Sequence, residues 1–330
     1  MDCKQKISAF IKAEAKRLGF CACGLAKAQP VSIEAQRQLR ESLDKDYCAD
    51  MDYLRNYFEI RTNPQLLVDG AQTVVSVALN YYPEKKLDDS QLQFAYYAYG
   101  KDYHDVMKEK LRRLLESVAK YLDEQSDDIR AELLGDAAEF SGRAFCDTAP
   151  ILEKYWAQQS GIGWIGKHTQ VVIPFVGSYV FLGELVINLE CSPDEPLKER
   201  CGKCSRCLNA CPTKALKENR MLDARKCLSY LTIENRENIP EEASEAMQSC
   251  VYGCDRCIKA CPWNRFASPT REEGLMPNEA FMNMTPADWE NLDVETYRKI
   301  FKGSAVKRAK FEGLQRNIKC VLDNLKRKKQ

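Results

Sequence analysis

Cys201-Gly202-Lys203-Cys204-Ser205-Arg206-Cys207-Leu208-Asn209-Ala210-Cys211-Pro212 and Cys254-Asp255-Arg256-Cys257-Ile258-Lys259-Ala260-Cys261-Pro262 are the stretches whose reading decides the fold. Thiolates two residues apart converge on one [4Fe–4S] cluster, while the cysteine before proline points toward a second cluster. Structural zinc also uses Cys-x2-Cys, but the repeated x3-Cys-Pro ending is a ferredoxin habit. The segment is therefore expected to handle electrons one at a time. Position 251 is Val, so the second run lacks a first cysteine. A crossed arrangement gives one cluster Cys201, Cys204, Cys207 and Cys261. The other takes Cys211, Cys254, Cys257 and either Cys227 or Cys250, and spacing leaves that choice open.

The chain has 330 residues, 45% of them hydrophobic, enough for an ordinary core and two domains by length. Sixteen cysteines would suit a disulfide protein, yet Met1-Asp2-Cys3-Lys4-Gln5-Lys6 has no apolar signal core. No run approaches the ~20 apolar residues of a membrane span. A soluble protein of a reducing, cytoplasmic compartment is expected, with clusters in place of disulfides. Cys3, Cys21, Cys23, Cys48, Cys146, Cys191 and Cys320 read as apolar fillers. The net charge of +1 hides an asymmetry: twelve Lys and Arg from Arg298 to Lys329 face only Glu312 and Asp323, a balance of +10. Such an end is either a polyanion footprint or a solvated helix tip.

Apolar spacing at Ile7, Phe10, Ile11, Ala15 and Leu18 predicts a helix stopped by Gly19. Val106, Leu111, Leu114, Leu115, Val118 and Leu122 predict a second over 105–122. Strands are expected at 73–79, 144–147, 169–173 and 179–189. This mixture gives a layered α/β or α+β domain up to about Glu190. Ser192-Pro193-Asp194-Glu195-Pro196 then leads into the cluster region, and helices follow from about Pro286.

Two segments of the first domain look chemical. In Phe145-Cys146-Asp147-Thr148-Ala149-Pro150, a strand ends in a carboxylate before a helix that Pro150 can open. Asp147 there is either a ligand-facing acid or a helix N-cap. In Gly161-Ile162-Gly163-Trp164-Ile165-Gly166-Lys167-His168, three glycines allow close approach of a flat or anionic ligand, with Lys167 and His168 adding polar reach. Only His104 and His168 occur, and neither a nucleophile elbow nor a dinucleotide fingerprint is present. Residues alone thus give a two-cluster redox protein with a ligand-binding domain.

Asp147-Thr148-Ala149-Pro150, Gly161 to His168, Gly177-Ser178-Tyr179 and Leu182-Gly183-Glu184 come in the order found in the epoxyqueuosine reductase family. So do Cys227-Leu228-Ser229-Tyr230-Leu231-Thr232-Ile233-Glu234, Tyr252-Gly253-Cys254-Asp255-Arg256-Cys257 and Cys261-Pro262-Trp263-Asn264, and the chain resembles that family over most of 50–265. The resemblance implies an α+β chain in three segments. An N-terminal α/β cobalamin-binding domain (1–190) precedes a ferredoxin-like two-[4Fe–4S] domain (191–270) and a short basic helical segment (271–330). It implies reduction of epoxyqueuosine in tRNA to queuosine, fed by an external electron donor, in a monomer without membrane contact. Cys227 is then the fourth ligand of the second cluster and Asp147 the proton donor. Arg61, Asp147, Gly163, Gly166, Lys167, His168 and Ser229 match cofactor-pocket positions, and Asp102-Tyr103-His104 a polar block near the reacting centre. A protonated carboxyl in an enclosed apolar pocket suits the donor role. Asp102-x-His104-x-x-Met107 lacks the glycine of a cobalt-ligating motif, so no His–cobalt bond is expected. Beyond the start of the family's C-terminal helical repeats the likeness stops, leaving Lys307, Arg308, Lys310 and Arg316 as candidate tRNA contacts. A small-molecule reductase of the dehalogenase kind would not need this basic end, and a plain electron carrier would need neither Asp147 nor the glycine loop.

Overall fold

The computed structural model describes residues 1–327. Helix α1 (Cys3–Arg17) opens on a capping box in which Asp2 and Gln5 bond each other's backbone, and buries Ile7, Ile11 and Ala15. It ends where the backbone turns left-handed at Gly19 (φ +91°). Helix α2 (Tyr103–Asp123) is capped by Asp102 and buries Met107, Leu111, Leu114, Val118 and Leu122 at helical spacing. Both helices lie on one face of a four-stranded sheet, against Val75, Val77, Leu79, Leu185 and Ile187. On the opposite face lies a short helix, α3 (Glu153–Gln159), packed with Trp156 and Ala157 over Val74, Ala78 and Val186.

The sheet comprises β1 (Ala22–Lys27), β2 (Thr73–Asn80), β3 (Gly142–Phe145) and β4 (Val180–Ile187) in the order β1-β2-β4-β3. Every pairing is antiparallel, which narrows the expected layered domain to α+β. At the centre Ser76 stands opposite both Gly24 and Glu184, and Glu184 opposite Phe145. Gly24 has no substitute: a Cβ there would lie 2.0 Å from the Ser160 carbonyl oxygen at the end of α3.

Three expected boundaries shift. The strand expected at 144–147 stops at Phe145, leaving Asp147 outside it with φ +51°. The strand at 169–173 shrinks to Val171–Val172, and α3 starts at Glu153 rather than at Pro150. Strand β1, around Cys23, was not expected, because its sequence Ala-Cys-Gly-Leu-Ala-Lys has little β-branching.

Each cysteine run folds as a tight turn entering a four-residue helix, Arg206–Asn209 and Arg256–Lys259. Gln93–Phe94 of the first domain pairs in parallel with Cys250–Tyr252, stitching the two regions together. The last helix, α4 (Lys310–Arg327), is no solvated tip. Asn317, fully buried in it, donates to the carbonyls of Thr232 at 2.8 Å and Val251 at 2.9 Å. Lys328 and Lys329, counted above in the basic end, lie outside the described residues. Among the described residues no helix is long and apolar enough to cross a membrane.

Candidate active site and cluster cysteines

Mutual charge effects sort eight thiols into two groups. Cys261 lies in the field of Cys201, Cys204 and Cys207. Cys257 lies in that of Cys254, Cys227 and Cys211, and Cys227 in that of Cys254 and Cys211. Burial pushes the Cys227 thiol up to about 11, opposed by the backbone amides of Tyr230 and Ser229. Those amides are suited to a thiolate, the form in which a cysteine binds a metal. Cys250 interacts with Cys254 as well, but its thiol is buried and donates to the Gly253 carbonyl at 2.6 Å. Among the described residues no three His, Cys, Asp or Glu side chains converge as ligands of a single ion do.

Asp147 is exposed just beyond β3. It caps no helix, since α3 is preceded by Leu152 and lacks a side-chain cap, which removes the N-cap reading. Its backbone N–H donates to Glu153 Oε1 at 2.6 Å, and its carboxylate accepts from the Tyr103 hydroxyl. The Tyr103 ring stacks on Phe181 (4.1 Å, 3°) and on His104 (4.1 Å). Asp102 accepts from the His104 N–H at 3.1 Å and meets His104 Nδ1 at 2.7 Å, so the polar block is a cap that also orients a ring. The His104 contact holds the Asp102 carboxyl below its usual range. The apolar enclosure expected around Asp147 surrounds its neighbours instead. Burial drives Glu153 well above the usual carboxyl range, and the Asp147 charge adds to this.

Sequence reasoning missed Glu153, Lys154 and Glu184. Lys154 reaches solvent, yet crowding by protein lowers the affinity of its amine for a proton. Its charged neighbours are Asp147 and Glu153 from the first domain and Cys257 and Cys227 from the cluster region. The missed signal was a second charged pair, Glu153-Lys154, six residues beyond Asp147.

The glycine loop differs from expectation in what its glycines accommodate. A Cβ at Gly163 would lie 2.5 Å from the Val172 carbonyl oxygen, and one at Gly161 2.5 Å from that of Glu195. One at Gly166 would crowd the His168 ring at 3.0 Å. The protein itself occupies these spaces. His168 is 2% exposed, accepts from the Gln170 N–H at 3.1 Å, and is pushed down to about 4 by burial. Its reach is turned inward. Lys167 Nζ donates to the carbonyls of Gly202 at 2.7 Å and Cys204 at 3.0 Å, tying this loop to the first cysteine run. Arg61 is buried and donates to the Tyr53 carbonyl at 2.9 Å, but its Nε has no partner. Trp164 Nε1, in the loop, is likewise buried and unpartnered. Ser229 is half-buried beside Cys227.

The basic end divides. Arg316 is half-buried, and its guanidinium donates to the carbonyls of Leu231, Asn235 and Glu237 at 2.5–3.0 Å, so it is a structural pin rather than a phosphate contact. Arg308 is exposed but paired bidentately with Glu234 at 2.8 Å. Lys307 and Lys310 are exposed. They share no helical face, because the backbone is left-handed at Lys310 (φ +60°).

Residues 61–148 match the family model described as "Epoxyqueuosine reductase QueG, DUF1730", and residues 200–264 the one described as "4Fe-4S double cluster binding domain". The chain is 42% identical over 318 residues to the epoxyqueuosine reductase of Cellulophaga algicola, covering 96% of this chain and 99% of that one. The solved epoxyqueuosine reductase of Streptococcus thermophilus superposes with a TM-score of 0.83 at 27% identity, over 97% of this chain and 82% of the other. An epoxyqueuosine reductase solved with an epoxyqueuosine-modified tRNA-Tyr stem loop gives 0.83 at 26%, again over 97% and 82%. With two cysteine groups, an acid beside them and this likeness along nearly its whole length, the chain belongs to the epoxyqueuosine reductase family of oxidoreductases.

Proposed function

We propose that this chain reduces epoxyqueuosine at the wobble position of tRNA to queuosine. In this reading two [4Fe–4S] clusters sit on Cys201, Cys204, Cys207 and Cys261 and on Cys211, Cys227, Cys254 and Cys257, cobalamin sits in the N-terminal domain, and Asp147 donates the proton. The observation that carries the reading is the position of Lys154, in the fields of Asp147, Glu153, Cys257 and Cys227 together. In this reading the acid and the second thiol group face one cleft beside Lys154. Arg61 and Trp164 fit a cofactor with hydrogen-bond acceptors, because each holds a buried donor that the protein leaves unpaired. When bound, cobalamin supplies a low-potential cobalt centre whose electrons the clusters deliver singly from an external donor. Tyr103, donating to Asp147, holds that carboxyl at the cleft mouth, from which it can protonate the oxygen leaving the ring. The tRNA-bound relative supports the substrate class. In this reading Lys307 and Lys310, exposed beside the ion-paired Arg308, meet its phosphates.

The test is anaerobic protein reconstituted with iron, sulfide and cobalamin, incubated with epoxyqueuosine-containing tRNA and reduced methyl viologen. Nucleoside mass spectrometry is expected to find queuosine. Cobalt and iron uptake without conversion would overturn the reading in favour of a small-molecule reductase.

A further inference from the structure

Removing an epoxide oxygen as water consumes two electrons and two protons, and Asp147 carries one proton at a time. Asp147 is exposed in the free protein, but a tRNA seated over it shuts out the solvent that would recharge it. The second proton must then come from inside.

On the strand beside the one that leads to Asp147 lies a carboxyl that packing alone does not explain. Glu184 is 0% exposed, and neither of its oxygens has a hydrogen-bond partner. It stands on β4 opposite Phe145, two residues before Asp147, and it points to the face covered by α3, whose first residue is Glu153. The Ser76 hydroxyl faces it across the sheet without meeting hydrogen-bond geometry. A buried carboxyl with no partner is costly when ionised and wasteful when neutral, since Gln or Met would fill the same space. Glu153 joins it to the surface: Glu184 lies in the fields of Glu153 and Asp147, and Glu153 accepts the Asp147 N–H at 2.6 Å. Burial holds both glutamates well above the usual carboxyl range, which favours their protonated forms. The other groups facing this set are Cys146, Lys154 and the Tyr103 hydroxyl, with Lys108 further off beyond Cys146.

We propose that Glu184 and Glu153 form a buried proton reserve that recharges Asp147 within one turnover, so that a single donor delivers both protons. The proposal rests on the reading of the site given above. Asp147 first protonates the oxygen as one carbon–oxygen bond breaks. Its carboxylate then takes a proton from Glu153, which is refilled from Glu184 through a bridging water, since the two carboxyls do not touch. Asp147 protonates the oxygen a second time as the other carbon–oxygen bond breaks, and water leaves. Two electrons from the external one-electron reductant complete the balance, and the reserve refills through Asp147 once product has gone. Glu153 and Glu184 touch no substrate and act only through Asp147.

Glu184→Gln keeps the shape and removes the proton. Its single-turnover rate with epoxyqueuosine tRNA is expected to fall about 10-fold or more, at unchanged tRNA affinity and iron content, with the deficit growing as pH rises. A purely structural role would leave the shape of the pH profile intact. The protein without cofactors gives a second readout. Difference infrared spectra near neutral pH are expected to show a protonated carboxyl band that Glu184→Gln removes and Asp147→Asn retains. If Glu184→Gln does not fold, Glu153→Gln, at the accessible end of the reserve, replaces it in both measurements. Superimposable pH profiles, or no lost carboxyl band, would overturn the reserve. Failure of the wild type to form queuosine would instead overturn the parent reading, which keeps the two outcomes separate.

Discussion

In the cluster region seven of the eight candidate cluster cysteines are placed mainly by their nearest neighbours in sequence, and Cys227 joins them from the start of the helix Leu228–Ile233. A tight turn and a four-residue helix set Cys201 to Cys211, and the same pair of devices sets Cys254 to Cys261. The acid site has no such local author. The block at Asp102 to His104, Asp147, the Glu153-Lys154 pair and Glu184 come from four separate segments and meet because they lie on or around one antiparallel sheet. A locally built site tolerates change elsewhere and fails all at once when a ligand is lost. A site assembled from distant segments fails by degrees, according to how much of the assembly each residue holds.

The hardest blow to that contrast is a single thiol. Cys227→Ala is expected to cut iron toward half and abolish turnover, whereas Cys250→Ala leaves iron unchanged, since its thiol serves the Gly253 carbonyl. Equal iron loss in both variants, measured by colorimetric iron assay, would break the assignment of the second group. In the acid site the effects are graded. Asp147→Asn is expected to lower single-turnover rates by about 10² to 10⁴ with iron and cobalamin retained. Tyr103→Phe, which removes one bond to a carboxylate, costs about 10-fold. A Tyr103→Phe loss as large as that of Asp147→Asn would make the tyrosine the donor. The smallest effects separate contact from pin at the basic end. Lys307→Glu with Lys310→Glu is expected to lower the log–log salt slope of tRNA binding by about two and to spare unfolding stability. Arg316→Ala is expected to leave the slope alone and cost about 2 kcal/mol in urea titrations, because it strips charged bonds from three carbonyls.

The same contrast explains what could be read from sequence. The two cysteine runs, α1, α2 and β2 were legible because their signals are periodic and contiguous. Asp147 was legible as a candidate because it follows a strand, but the helix it seemed to cap starts too late for that role. Glu184 was quoted only as part of a family block. Nothing local marks a glutamate in an apolar strand as unpaired, for that depends on Ser76 and α3, more than a hundred and about thirty residues away in the chain. The loop glycines misled for a related reason: the same missing Cβ serves a ligand or a neighbouring carbonyl, and only the packing shows Val172 and Glu195 in that space. Arg316 resembled a phosphate contact because a charge count does not see the carbonyls that hold it.

The bonds of Lys167 to the first cysteine run, the two-residue ladder from Gln93–Phe94 to Cys250–Tyr252, and the grip of Asn317 on Thr232 and Val251 share one consequence. The breaks in sequence character near 190 and 270 are not lines along which the molecule comes apart. Many redox proteins carry charge on an arm that swings between donor and acceptor, and their speed is then set by the swing. Here the thiol groups and the acid are fastened to one frame, and the distances between them are set when the chain folds.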